Sequence, residues 1–124
     1  MKRKVVRTSK APKPGGAYSQ GIVAGDFVFT AGQGGTDPRT GRVAKGIGAQ
    51  TAMALRNIKG VLEAAGTSME NVVKVTVYLA DMGDFDKMNK VYLEHFPRDQ
   101  PARSTVEGNL GKILIEIDAI ALIP

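Results

Sequence analysis

The chain has 124 residues, no cysteine and a single histidine, which removes disulfides, thiolate chemistry and any centre built on several histidines. Its length predicts one domain, residues 1–124, with a single core. The net charge is +5, yet six of the 17 basic residues (Lys2, Arg3, Lys4, Arg7, Lys10 and Lys13) precede the first acid. That leaves 11 to set against 12 acids, so the excess is a terminal arm on a near-neutral body.

Residues 1–13 read as this basic arm, solvated and irregular, with salt-dependent RNA binding as its functional alternative. No apolar run approaches the roughly 20 residues needed to cross a bilayer. TSKAPKPGGAYSQ (residues 8–20) lacks the apolar stretch of a signal peptide. A cytoplasmic protein without membrane contact is expected. Two short strands are predicted next, Tyr18–Val23 and Phe27–Ala31, joined by a turn at Ala24-Gly25-Asp26. GQGGTDPRTGR (residues 32–42) is a loop with turn signals at Asp37-Pro38 and Gly41, and it lacks the spacing of a phosphate-binding loop.

Ala52, Leu55, Ile58, Val61, Leu62 and Ala65 recur at helical spacing and predict a helix over residues 48–65, ended by Gly66. From Val72 to Leu79 the period changes to two, with Val73, Val75, Val77 and Leu79 on one face of a strand. Asp81 is placed as the N-cap of a second helix with Asp84 in its first turn. Phe85, Met88, Tyr92 and Phe96 form its apolar stripe and Pro97 closes it. His95 near its end is assigned to packing or to the helix terminus. Strands over residues 102–107 and 113–122 complete the chain.

The last strand poses the main question of the sequence. In ILIEIDAIALIP, Glu116 and Asp118 share a face with Leu114, Ile120 and Leu122, opposite Ile113, Ile115, Ile117, Ala119 and Ala121. Unpaired charge on an oily face costs several kcal/mol. Two helices cover one face of the predicted sheet, whereas both faces carry large apolar residues. A further copy of the chain is the economical cover, so an oligomer is expected, with the acids at a subunit interface.

Three stretches can carry chemistry. In PARSTVEG (residues 101–108), Arg103 sits on a strand and can grip a carboxylate through two parallel hydrogen bonds; the alternative is an ion pair with Glu116 or Asp118, or an exposed salt bridge. Glu116 can act as a general base among apolar neighbours, or both acids can form satisfied interface pairs. The glycines of GGAYSQ and FVFTAGQGG either admit a ligand to the backbone or simply turn the chain.

GAYSQ, FVFTAGQ, the segment AQTAMALRNIKGVLEAAGTSMENVVKVTVYLADMGDFDKMNKVY, PARSTVEG and IEIDAIA follow one another in the order seen in RidA proteins. The chain resembles that family (YjgF/YER057c/UK114, the reactive intermediate deaminases) from about Pro14 onward. The resemblance implies an α+β, chorismate mutase-like fold, a mixed sheet with two helices on one face, assembled as a homotrimer with clefts between subunits. It implies hydrolysis of 2-imino acids or their enamine tautomers to 2-keto acids and ammonia, without cofactor or metal. It also implies a functional link, without a stable complex, to pyridoxal-phosphate-dependent dehydratases. By matching motif, Arg103 would hold the substrate carboxylate, Glu116 would activate water, and Tyr18 would line the cleft and donate a hydrogen bond. Ala31 and Gly32 would offer backbone groups, Phe85 and Asn89 would form walls, and Thr105 would stand by Arg103 where several relatives have cysteine. Asp118 receives no catalytic role. Ala17 replaces a common proline, Ala31 a common serine, and the connection Gly108–Lys112 is short. An RNA-binding or RNA-cleaving translation inhibitor and a non-catalytic small-molecule-binding trimer are the competing readings.

Overall fold

The computed structural model of the protein describes residues 2–124. Strands β1 (Arg3–Val6), β2 (Gly21–Ala24) and β3 (Phe27–Thr30) precede helix α1 (Ile47–Ala64). Strand β4 (Val72–Leu79), helix α2 (Phe85–His95) and strands β5 (Ala102–Glu107) and β6 (Ile115–Leu122) follow. One mixed sheet runs in the order β1-β2-β3-β6-β4-β5, with β4 and β5 parallel and every other pair antiparallel. Parallel β4 and β5 need a crossover, and α2 supplies it. Both helices pack on one face, where Leu55, Ile58, Leu62, Val75, Val77, Met88, Ile115 and Ile117 form the core.

The helices begin and end for local reasons. Thr67 N–H donates to Leu62 O and Gly66 N–H to Glu63 O, with Gly66 at φ 91°, which closes α1 in a Schellman motif. Its buried stripe runs through Ala54, Leu55, Ile58, Val61 and Leu62, so Ala54 takes the place expected of the half-exposed Ala52. Asp81 accepts from Gly83 N and caps a single 3₁₀ turn, Met82–Asp84, which leads directly into α2.

Three sequence expectations are corrected. The arm is not irregular: residues 3–6 form β1, paired with β2 from Arg3↔Ala24 to Val6↔Gly21. Its charges hid a short edge strand, and charge is how exposed sheet edges resist further pairing. Beyond β1, the buried Gln20 side chain fastens the arm. Its carbonyl accepts from Thr8 N at 2.7 Å, and its amide donates to Thr8 O, Ala11 O and Pro12 O at 2.9–3.1 Å. Strand β2 accordingly begins at Gly21, since residues 18–20 serve this clasp. On β4, a register shift between Val72 and Lys74 buries Val72 and leaves Val73 exposed, reversing the expected facing of those two residues.

The second face of the sheet is open. Phe27, Phe29 and Leu122 are exposed on it, paired as Phe27↔Leu122 and Phe29↔Ile120, with Val106 beside Tyr78. Glu116 and Asp118 stand on the same face, opposite Tyr78 and Thr76 of β4. Ile115, Ile117, Ala119 and Ala121 are buried beneath the helices, as the alternation of β6 predicts.

Candidate active site

The predicted site residues fall into two groups, and the sheet separates them. The first lies on the helix side, at the β5 edge. Arg103 pairs in register with the buried Val75, which turns it toward α2. Its Nη1 donates to Asn89 Oδ1 at 2.8 Å. The guanidinium carbon lies 5.4 Å from the Phe85 ring centroid and 4.6 Å from that of Tyr92. Phe85, Asn89 and Tyr92 are successive turns of one helix face, so the i, i+4, i+7 spacing of α2 builds a cradle for a cation. Thr105, two residues along β5, shares this face opposite Val77. A hollow of about 450 Å³ lined by Asn89, Tyr92, Leu93, Gln100, Pro101 and Arg103 opens here.

Among the described residues the ion pairs within 4.0 Å are Lys10–Glu63 and Arg39–Asp37. Arg103 therefore pairs with neither Glu116 nor Asp118, the alternative that the sequence left open. One N–H of its fork meets the Asn89 amide oxygen and its guanidinium carbon lies over two rings, while the fork has no anionic partner.

The second group lies on the open face. Between the pairs Phe29↔Ile120 and Gln33↔Ile117, strand β3 and its extension spend three residues (Thr30, Ala31, Gly32) against two of β6 (Asp118, Ala119). This extra residue is a bulge, with Thr30 Oγ1 accepting from Ala119 N at 3.0 Å. It brings Gly32 against Glu116: a Cβ on Gly32 would lie 2.6 Å from Glu116 Oε2 and 2.7 Å from its Cδ. The carboxylate occupies space that only glycine leaves free. Ala31 N–H donates to Gln20 O at 2.9 Å, so of its backbone groups the carbonyl remains to meet a ligand.

Asp118, beside this group, is half-buried. Burial raises its pKa, while the Tyr78 and Thr76 hydroxyls and the Lys74 charge draw it back down. The Asp118 charge in turn raises the Tyr78 phenol. Tyr18 joins neither group. It is 53 % exposed, its hydroxyl accepts from Gly15 N at 3.1 Å, and it lines a hollow with Val5, Arg7, Lys13 and Pro14.

Two residues of the site region are not apparent from the sequence. Gln20 stands there only as part of a motif, and its role as the clasp of the arm appears with the tertiary contacts. Tyr92 stands there as part of the apolar stripe; its place one helical turn from Asn89 is the available signal. Among the described residues no group of three or more metal-ligating side chains is present and no helix is long and apolar enough to cross a membrane.

Comparison with known proteins agrees with this architecture. The family profile described as endoribonuclease L-PSP matches residues 8–123. A RutC family protein of Pyrococcus horikoshii is 57% identical over 122 residues, covering 96% of this chain and 97% of its own. The 2-iminobutanoate/2-iminopropanoate deaminase of Rattus norvegicus is 43% identical over 123 residues, covering 97% and 90%. Among solved structures, E. coli TdcF with bound serine superposes with a TM-score of 0.92 at 35% identity, covering 96% and 98%.

Proposed function

The chain belongs to the endoribonuclease L-PSP, or RidA, family, and from that premise we propose that it hydrolyses 2-imino acids and their enamine tautomers to 2-keto acids and ammonia. The reading rests above all on Arg103: a guanidinium held by Asn89 and two aromatic rings, half-exposed, with no carboxylate within 4.0 Å among the described residues. Such a fork is built to receive a carboxylate from outside the chain. The relative named as a 2-iminobutanoate/2-iminopropanoate deaminase, and the relative whose structure holds serine, point the same way.

Arg103 and Glu116 face opposite sides of one sheet, so the proposed site is completed by a second copy. The open face, with Phe27, Phe29, Leu122 and Val106 exposed, is the surface that copies would bury, in keeping with a homotrimer. At such a junction the Arg103 fork holds the substrate carboxylate and so sets the imine carbon in place. Glu116 of the neighbouring copy takes a proton from water as the oxygen bonds to that carbon. Glu116 passes that proton to the nitrogen, the new hydroxyl gives up its own as the carbon–nitrogen bond breaks, and ammonia leaves the 2-keto acid. Gly32 keeps the carboxylate of Glu116 close to the backbone of the bulge.

The test generates imines in situ from amino acids with an amino acid oxidase and traps what survives with semicarbazide. Wild type should lower the trapped product, and Arg103→Ala and Glu116→Ala should each fail to. Mixed oligomers refolded from equal amounts of the two variants should regain about a quarter of wild-type activity. That is the share of junctions pairing an intact Arg103 with an intact Glu116 when each comes from a different copy. No recovery from a verified mixture would refute the shared site, and an inert wild type would refute the reaction.

The basic arm keeps an RNA-binding reading in play, because Lys2, Arg3 and Lys4 lie at an exposed sheet edge. Deleting residues 1–10 would also remove β1 and the two bonds between Gln20 and Thr8. The discriminating change is therefore Lys2→Glu with Lys4→Glu, which should abolish RNA affinity and leave imine hydrolysis intact if the arm binds RNA.

A further inference from the structure

Tyr92 carries a feature that packing does not explain. The residue is only 4 % exposed, its ring packs on Phe96 at a 39° tilt with centroids 4.8 Å apart, and its face supports the Arg103 guanidinium. Phenylalanine would make all of these contacts. Yet the Tyr92 hydroxyl is buried with no hydrogen-bond partner, a desolvation penalty that phenylalanine would avoid. Buried phenols usually find a partner.

The surroundings narrow what that partner is. Tyr92 lines the hollow beside Arg103, with Asn89, Leu93, Gln100 and Pro101. Asn89 Oδ1 is already used by Arg103, and the Gln100 amide donates to Phe96 O. Burial raises the phenol's pKa, and Arg103 offsets this only in part, through its charge and an N–H turned toward the phenol oxygen; a guanidinium only donates, so the phenol's own proton is left without an acceptor. A guanidinium with free N–H groups and a residue whose buried phenol carries an unpaired proton therefore line one hollow, and both groups are suited to negatively charged oxygen.

We propose that the Tyr92 hydroxyl is a second donor to the carboxylate that Arg103 holds, making Tyr92 a substrate-binding residue. This rests on the deaminase-type site described above and adds to it a residue that the sequence places only in the apolar stripe of α2. The phenol contributes to the affinity for the acid end of the substrate and leaves the chemistry at the imine carbon to Glu116.

The experiment compares wild type, Tyr92→Phe and Arg103→Ala as intact oligomers, with 2-oxobutanoate as the binding probe in calorimetry. The imine assay supplies KM and kcat, and a melting curve reports the fold. For Tyr92→Phe the probe Kd and KM should each rise about tenfold or more, the scale of a hydrogen bond to a charged group. Its kcat should stay within about twofold and its melting temperature should not fall. A Tyr92→Phe Kd within about twofold of wild type, while Arg103→Ala abolishes probe binding, overturns the role of Tyr92 and spares the site. A tightened melting transition with unchanged Kd has the same consequence, and assigns the hydroxyl no ligand. If Arg103→Ala binds the probe as wild type does, the carboxylate site itself falls, and the proposal with it.

Discussion

Gly32→Ala separates the position of Glu116 from the stability of the fold. The φ of Gly32 lies outside the left-handed region, so alanine meets no backbone strain there. The added Cβ would lie 2.6 Å from Glu116 Oε2, 2.7 Å from Cδ and 2.9 Å from Cγ, where ordinary contact begins at 3.4 Å. The carboxylate must therefore retreat by about 0.8 Å, and it is the far end of a flexible side chain on a half-open face. Rotating it away costs the fold about 1 kcal/mol or less. Catalysis is less forgiving, because a shift on the order of 1 Å in a reacting group can lower turnover about 100-fold. Gly35→Ala is the control: its Cβ would lie 2.7 Å from the Gln50 Cα, where helix backbone must move, so the loss there appears in folding. The assays are imine turnover and urea denaturation on both variants. A Gly32→Ala enzyme with near wild-type turnover would show that the placement of Glu116 against the bulge is irrelevant to the reaction. A denaturation midpoint lowered as far as that of Gly35→Ala would show that the carboxylate is not free to yield.

Three further outcomes follow from the same geometry. Gln20→Ala deletes the four hydrogen bonds that fasten residues 8–12, and should lower stability by about 2–3 kcal/mol in urea titrations, with faster proteolysis of the arm. Gly60→Ala gains about 1 kcal/mol of helix propensity, but its Cβ would lie 2.6 Å from the Lys10 carbonyl oxygen. The arm backbone must then shift, and a lowered melting temperature with quickened amide exchange around Lys10 is expected. Asp118→Asn should change how stability depends on pH. Burial raises the carboxyl above its ordinary 3.8, so the folded chain holds this proton more tightly than the unfolded one. The stability from this group is full below that value and is lost as pH rises through the folded value, so the variant should gain on wild type from about pH 4 upward. A constant difference across that range would refute the assignment.

Much of this architecture was legible because period and punctuation agree. The switch from helical spacing in α1 to alternation in β4, with Gly66 between, marks both elements, and the alternation of β6 correctly sorts Ile115 and Ile117 from Glu116 and Asp118. Long-range clasps were not legible. Nothing in the spacing of GAYSQ says that Gln20 reaches back to Thr8 and Pro12, and β1 is four residues whose charges mask the alternation.

The relation between Arg103 and Glu116 is not legible in the spacing, because alternation sorts the faces within a strand and is silent on which face a neighbouring strand shares. That is fixed by register. Val75 opposite Arg103 sends the arginine to the helix side, while Tyr78 opposite Glu116, three residues further along β4, sends the glutamate to the other. The odd separation of Val75 and Tyr78 on their common partner strand is what parts the two groups. A one-residue slip of β5 on β4 would put both on one face and let them neutralise each other within a single chain. With the observed register, each proposed catalytic residue is left to meet a ligand or another copy.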